Sequence, residues 1–193
     1  QYVFHNKNVD TPLQLLYSIF DRTNINAIWG RFIRRSLYVD YGVSCKAGVN
    51  MGEDLQVITK LLYFAKSICV CNKSLYHYEC SNMGSYMASY STKKTMQAVE
   101  SLHIVCDFFK DKDQVLVEKV NSYVAYSYAT FLAGSINGND REIYSYILNC
   151  ADQLPQGAFS EIPISYRTFF VIRNYTLMRA YAKIGKFIIK IFC

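Results

Sequence analysis

Two adjacent carboxylates stand at the predicted start of a helix. Residues 50–54 read Asn-Met-Gly-Glu-Asp, and an apolar periodicity typical of a helix begins directly after them. The positive end of a helix dipole favours negative charge in the first turn. A carboxylate there that faces a cleft can take a proton from an attacking hydroxyl, which makes Asp54 a candidate general base and Glu53 its neighbour. The alternative is that both acids only stabilise the helix end.

Three aromatic residues are candidates for the wall of such a site. Trp29 is the only tryptophan of the chain, and an indole face can stack on the apolar face of a sugar ring. Trp29 can equally be a half-buried core residue. Tyr76 and Tyr78 alternate in a β-like run and therefore share one face, which either lines a site or packs against the core.

Cysteine and histidine residues suggest metal binding only weakly. Cys69, Cys71, His77 and Cys80 are zinc-type ligands, but their spacing is not that of familiar zinc sites. We expect no metal site in this chain and predict that Cys69 and Cys71 point into the core. The chain has seven cysteines. That odd number favours free thiols in a reducing compartment, most of them serving as small buried hydrophobes.

Hydrophobic periodicity predicts the elements that would position these side chains. Helices are expected at residues 12–21, from residues 50–54 to Lys66, and at residues 95–109, 114–133, 140–151 and 164–192. Residues 67–71 and 75–80 are β-like and flank a turn, which predicts a short β-hairpin. The predicted fold class is therefore α+β, predominantly helical, with one region at residues 1–91 and a C-terminal helical region at residues 92–193.

Composition narrows the possible functions. The 193 residues are 51% hydrophobic and 19% charged, which indicates a globular chain with a real core. The net charge of +6 is concentrated after Glu161, whereas a nucleic-acid-binding domain would spread its charge differently, so we expect no nucleic-acid partner. No apolar run reaches the roughly 18 residues that a membrane-spanning helix needs.

The last predicted helix is amphipathic. Arg179, Lys183, Lys186 and Lys190 are spaced 4, 3 and 4 residues apart and share one stripe. The opposite side carries apolar residues: Leu177, Tyr181, Ile184, Ile188 and Phe192. Two interpretations remain open. The helix either lies on an anionic membrane surface, or docks its apolar stripe on the domain and leaves its charges in solvent.

Several short motifs occur in a fixed order between residues 26 and 85. They are Ala27-Ile28-Trp29-Gly30-Arg31-Phe32, Arg35-Ser36-Leu37, Gly52-Glu53-Asp54-Leu55, Ala65-Lys66-Ser67-Ile68 and Leu75-Tyr76-His77-Tyr78, followed by Ser85. This order resembles the acceptor half of the inverting family 2 glycosyltransferases, which have a GT-A fold. The resemblance covers roughly a third of the chain. It implies a partial GT-A fold, a short β-hairpin plus helices, in the first region.

The resemblance also assigns roles to residues. It makes Asp54 the general base and Glu53 its neighbour, and it assigns substrate binding to Trp29, Arg31, Gly52, Tyr76 and Tyr78. The sequence departs from the family at two positions: Arg31 stands where lysine is usual, and Glu79 stands where arginine is frequent.

The implied activity is transfer of a sugar from a nucleotide-sugar donor to a saccharide or lipid-linked saccharide acceptor in bacterial polysaccharide synthesis. The expected location is the cytoplasm, at the inner face of the plasma membrane. Family members hold Mg²⁺ or Mn²⁺ in a D-x-D motif that precedes the Gly-Glu-Asp element. Asp111-Lys112-Asp113 follows that element between two predicted helices, so the metal ligands are expected outside this chain.

The nucleotide-binding half of such an enzyme is missing before Asn26. We therefore expect a C-terminal portion of a longer enzyme that is inactive by itself, and whose uncovered apolar surface favours a homo-oligomer. The alternative is a non-catalytic helical interaction module with a basic docking helix. The two differ in whether the coding sequence continues upstream into a nucleotide-binding domain.

Overall fold

The computed structural model describes residues 9–71, 73, 75–76 and 90–192, with side chains described as far as residue 183. Its α-helices are α1 (Pro12–Phe20), α2 (Arg35–Asp40), α3 (Glu53–Phe64), α4 (Thr92–Phe109), α5 (Gln114–Asn137), α6 (Arg141–Ala151), α7 (Ile164–Ile172) and α8 (Tyr175–Phe192). A 3₁₀ turn, Gln156–Phe159, lies between α6 and α7. Helix accounts for 64% of the structure, which confirms a predominantly helical fold.

The structure does not contain the first half of the predicted β-hairpin. Residues 67–71 form no strand, and most of the second run, residues 75–80, lies outside the described residues. Four of the five residues in the first run are exposed, Cys69 and Cys71 among them, so the prediction that these two cysteines enter the core is wrong. A β-like composition gives a strand only where a neighbouring strand pairs with it. Across the described ranges, no strand is present.

Local capping explains the first helix. The Thr11 hydroxyl accepts a hydrogen bond from the backbone N–H of Gln14, and the Gln14 side chain accepts one from the backbone N–H of Thr11. This reciprocal pair is a capping box. Pro12 follows in the first turn, where its missing N–H costs nothing. The predicted start of this helix is confirmed.

Helix α5 is longer than predicted because Gly134 does not end it. The helix continues to Asn137, and Gly138 is the residue that follows. The ring of Tyr90 lies against both glycines, and a Cβ on Gly138 would be 2.4 Å from that ring. The end of α5 is therefore shaped by a ring that packs from a distant part of the chain.

The predicted helix at residues 164–192 is two helices. Arg173 ends α7 in the left-handed conformation, with φ of 49°. Its guanidinium pairs with Asp152, at 2.5 Å from Nη1 to Oδ1 and 2.7 Å from Nη2 to Oδ2. The Asn174 side chain then accepts a hydrogen bond from the backbone N–H of Leu177 and caps α8. A tertiary ion pair and a local cap together break the helix.

One hydrophobic core joins the two predicted regions. Its buried residues come from α1, α3, α4, α5, α6 and α8, so it crosses the predicted boundary at residue 91. At its centre the rings of Phe20 and Phe109 meet edge to face, with centroids 5.6 Å apart. The largest fully buried side chains include Tyr128, Tyr144, Phe20, Phe109, Leu16 and Ile19.

Helix α8 packs on this core through a face that the sequence analysis did not predict. Met178 is buried and Ala182 packs beside it, whereas Leu177 and Tyr181 are exposed. The interpretation in which the Leu177 and Tyr181 stripe docks on the domain is therefore wrong for these two residues. Within the described part of the chain, no helix combines the length and the apolar character needed to cross a bilayer.

Asp140 links the start of α4 to the start of α6. Its Oδ1 accepts a hydrogen bond from the backbone N–H of Ile143, and its Oδ2 accepts bonds from the hydroxyls of Thr92 and Tyr90. We expect Asp140→Ala to lower the free energy of unfolding by about 2 kcal/mol, because it removes a helix cap together with two tertiary bonds. Urea unfolding at neutral pH measures this loss. Asp113→Ala is the control.

The control removes a cap alone. Among the described residues, Asp113 accepts a side-chain hydrogen bond only from the backbone N–H of Val115 in α5, so its replacement is expected to cost about 1 kcal/mol. Partial burial opposes ionisation of Asp140, but its hydrogen bonds outweigh this and hold its pKa below the usual 3.8. Since the folded-state pKa is depressed, the contribution of Asp140 is present above pH 3.8 and is lost as the pH falls through the lower folded value. Equal costs for both variants at neutral pH would contradict the tertiary role.

Candidate functional site

The Asp54 carboxylate lies in the first turn of α3 and reaches the loop that carries Trp29. Its Oδ2 accepts a hydrogen bond of 3.1 Å from the backbone N–H of Ile28. Within the described residues, Oδ1 accepts no hydrogen bond. The carboxylate is neither fully buried nor fully exposed. One oxygen therefore positions the loop, and the other remains able to accept a proton.

Arg31 stabilises the conformation of the same loop. Its guanidinium donates from Nε to the carbonyl of Ala27 and from Nη2 to the carbonyl of Ile25, both at 2.7 Å. Burial lowers the pKa of Arg31 from its usual value, and the negative charge of nearby Asp54 opposes that shift. The two side chains are not within ion-pair distance of each other among the described contacts. Arg31 is thus engaged with backbone carbonyls, which favours a positioning role over the predicted substrate contact.

Trp29 stacks on a second predicted site residue. The indole and the ring of Tyr76 are 5.1 Å apart at their centroids and inclined by 20°. Trp29 is half-buried and Tyr76 is exposed, so part of this aromatic pair faces solvent. Tyr78 lies outside the described residues. The structure therefore brings together Asp54, Arg31, Trp29 and Tyr76, which are up to 47 positions apart in sequence.

Tyr38 belongs to the same neighbourhood, although sequence reasoning did not single it out. It lies on α2 and packs with Val43, Val57 and Leu61. Burial raises the pKa of the Tyr38 hydroxyl, and the charge of Asp54 raises it further. Helix α2 was not predicted from the sequence, because the residues at positions 28–37 form a short segment of mixed character.

A buried hydrogen-bond network fixes the chain that enters α3. Gln56 is fully buried; its Oε1 accepts from the backbone N–H of Lys46 at 2.9 Å, and its Nε2 donates to Ser101 Oγ at 2.7 Å. Ser101 Oγ in turn donates to the carbonyl of Met51 at 2.6 Å. The network ties the loop before Asp54 to α4. Neither Gln56 nor Ser101 was identified from the sequence. Glutamine and serine are usually exposed, so residue type alone does not indicate that these two side chains are buried.

Gly52 lies so close to Ser101 of this network that a larger side chain would collide with it. It precedes α3 in the left-handed conformation, with φ of 81°, and a Cβ there would lie 2.8 Å from the Cβ of Ser101. Its presence is explained by backbone packing, and no substrate contact is needed to account for it. Glu53 is partly exposed at the first position of α3, beside Asp54.

The cysteine, histidine and aspartate residues considered as metal ligands do not form a metal site in the described part of the chain. No group of three or more His, Cys, Asp or Glu residues there is arranged to hold a metal ion. Asp113 caps α5, and Asp111 lies exposed in the turn before it. The segment Asp111-Lys112-Asp113 is therefore an interhelical turn. His77 and Cys80 lie outside the described residues.

Cysteine burial differs from the prediction. Cys150 is buried and Cys106 is partly buried, and burial raises the pKa of the Cys106 thiol to about 11. The other cysteines described are exposed, namely Cys45, Cys69 and Cys71. The prediction that the cysteines are mostly buried hydrophobes is therefore wrong for these three.

Two open clefts lie near the start of α4. One is lined by Tyr90, Thr92, Asp140 and neighbouring residues, and burial beside the Asp140 carboxylate raises the pKa of Tyr90 to about 12. The other lies between α4 and α6 and includes His103, whose Nε2 is 2.9 Å from the Tyr128 hydroxyl. Neither cleft is lined by a residue that the sequence analysis assigned to the site.

Comparison of the chain with protein-family models, with curated proteins and with solved structures finds no match. A functional conclusion therefore depends on the geometry around Asp54 and on the motif order in the sequence.

Proposed function

We propose that this chain is the acceptor-side portion of an inverting glycosyltransferase. The observation that carries the proposal is the contact between Asp54 Oδ2 and the backbone of Ile28, because it sets a carboxylate beside the loop that presents Trp29. A carboxylate close to a partly exposed aromatic pair is suited to receive a sugar hydroxyl, because the rings can stack on the sugar and the carboxylate can take the hydroxyl proton.

The proposed chemistry is one displacement. The acceptor hydroxyl oxygen forms a bond to the anomeric carbon of the donor sugar, and the bond from that carbon to the nucleotide diphosphate breaks. The hydroxyl proton passes to Asp54 Oδ1. Arg31 and the Ile28 N–H hold the loop and the carboxylate in place during this step.

The family's divalent cation does not fit the described residues. Asp113, the second acid of the Asp111-Lys112-Asp113 sequence, caps α5 by accepting a hydrogen bond from the backbone N–H of Val115. In the proposed enzyme, the donor, its cation and the nucleotide-binding half therefore belong to a part outside this chain.

Acceptor binding is testable on this chain because Trp29 is its only tryptophan. We expect saccharides to change the emission of Trp29 with dissociation constants in the millimolar range, so titrations should extend to about 50 mM. Tyr76→Ala is expected to weaken this binding about tenfold, because it removes the ring that stacks on the indole.

Tyr41→Ala is the matched control. Tyr41 is 45% exposed and stacks on Phe64 at 4.2 Å, whereas Tyr76 is 52% exposed and stacks on Trp29. The control therefore removes a similar ring from a different stack and should leave saccharide binding unchanged. An emission spectrum that no saccharide alters would contradict the acceptor role of Trp29.

The competing proposal, a non-catalytic helical module, is distinguished by the coding sequence. The glycosyltransferase proposal requires that a nucleotide-binding domain be encoded directly upstream. An intact gene without such a domain would favour the module.

A further inference from the structure

The net positive charge of the chain is confined to its last 32 residues. Six lysines and arginines follow Glu161, and no acidic residue does. The other 15 basic residues are balanced by all 15 acidic residues of the chain, so residues 162–193 carry the whole charge of +6. This stretch contains α7 and α8.

The same two helices expose large apolar side chains. Helix α7 has no buried residue, and its Ile164 and Val171, seven positions apart, are each 79% exposed. On α8, Leu177 is 60% and Tyr181 57% exposed, four positions apart. Spacings of seven and four place each pair on one face of its helix. These four exposed apolar side chains lie on two successive helices, which makes this pair of helices a candidate interaction surface.

Two of the six cations are already used within the fold. Arg167 donates to the carbonyls of Ile162 and Ser160, and Arg173 pairs with Asp152. Arg179 and Lys183 form no ion pair within the described residues, and Lys183 is exposed. The sequence continues their stripe with Lys186 and Lys190. Among the side chains that the structure describes on α8, the charges of Arg179 and Lys183 are therefore not paired with an acidic residue.

We propose that α7 and α8 form a docking surface for the anionic face of a lipid bilayer. An interfacial helix combines an apolar face with lysine and arginine on its polar side, and lies in the plane of the membrane. Negatively charged lipid headgroups attract such cations, and residues 162–193 contain no acidic residue that would oppose this attraction. The docking surface does not depend on glycosyl transfer, since none of its residues belongs to the Asp54 site.

Co-sedimentation with vesicles tests the proposal. The 193-residue chain is expected to sediment at low salt with vesicles of equal parts phosphatidylglycerol and phosphatidylcholine. Binding to pure phosphatidylcholine vesicles, or in 0.5 M salt, is expected to be about tenfold weaker or more. Arg179→Gln with Lys183→Gln should weaken binding about 20-fold, and Leu177→Ser with Tyr181→Ser about tenfold or more.

Matched double variants distinguish the contribution of this surface to vesicle binding from a general effect of charge or hydrophobicity. Arg34→Gln with Arg35→Gln removes the same charge from exposed positions of another surface, and Val39→Ser with Val115→Ser removes exposed apolar groups elsewhere. Both should bind as the unchanged chain does, with helicity by circular dichroism equal in all variants.

Three results would overturn the proposal. The first is no sedimentation with anionic vesicles, and the second is equal loss of binding in the control variants. The third is a dimer in solution that Leu177→Ser with Tyr181→Ser converts to a monomer, since a second copy of the chain would then be the occupant of the surface. None of these outcomes bears on saccharide binding at Trp29, so failure here is distinct from failure of the proposed function.

Discussion

Replacing Asp54 by asparagine is expected to slow sugar transfer by a factor of about 10² to 10⁴ in the longer enzyme that the proposal implies. Asparagine has almost the same shape, and its carbonyl oxygen still accepts the hydrogen bond from the Ile28 N–H. It has no negative charge, however, and cannot take the proton of the acceptor hydroxyl. The loss should therefore appear in kcat, measured with saturating donor and acceptor.

Two further variants separate catalysis from folding. Asp54→Ala removes the bond to Ile28 as well as the charge, so it should lower the free energy of unfolding by about 1–2 kcal/mol more than Asp54→Asn does. Asp40→Asn changes an exposed carboxylate at the end of α2 and should alter neither quantity. Turnover by a folded Asp54→Asn enzyme close to that of the unchanged enzyme would refute the general-base assignment and leave Asp54 as a loop anchor.

Replacing Gly52 by alanine is expected to lower the free energy of unfolding by about 2–5 kcal/mol. A residue with a Cβ costs about 1–2 kcal/mol in the left-handed conformation that Gly52 adopts. The added methyl would lie 2.8 Å from the Cβ of Ser101, and such overpacking costs about 1–3 kcal/mol more. Urea unfolding followed by circular dichroism measures the sum.

Gly30→Ala is the control for the conformational part of this effect. The difference between the two variants then gives the steric part. Gly30 has nearly the same backbone conformation, with φ of 76°, but a Cβ there would meet nothing within 4 Å. Only the cost of the left-handed conformation is therefore expected, about 1–2 kcal/mol. Equal destabilisation by both variants would mean that Ser101 can move away from the added methyl group without loss of stability. The hydrogen-bond network around Gln56 would then not constrain the start of α3.

Helix starts were predictable where the signal lies within a few residues. The capping box at Thr11 and Gln14, the acidic first turn of α3 and the cap at Asp140 are all local, and each marks a helix that the structure contains. Predictions failed where a distant residue intervenes. Tyr90 shapes the end of α5, and the pairing of Arg173 with Asp152 divides the final helical stretch.

The candidate site was predictable in its residue types and not in its contacts. Residue order and spacing singled out Asp54, Trp29, Arg31 and Tyr76 as candidates. The hydrogen bond between Ile28 and Asp54 spans 26 positions, and the one between Gln56 and Ser101 spans 45. Such pairs, like the exposure of Leu177 and Tyr181 on α8, depend on how helices pack against one another. Local propensity and periodicity carry no information about packing partners so far apart in the chain, so only the folded chain could reveal them.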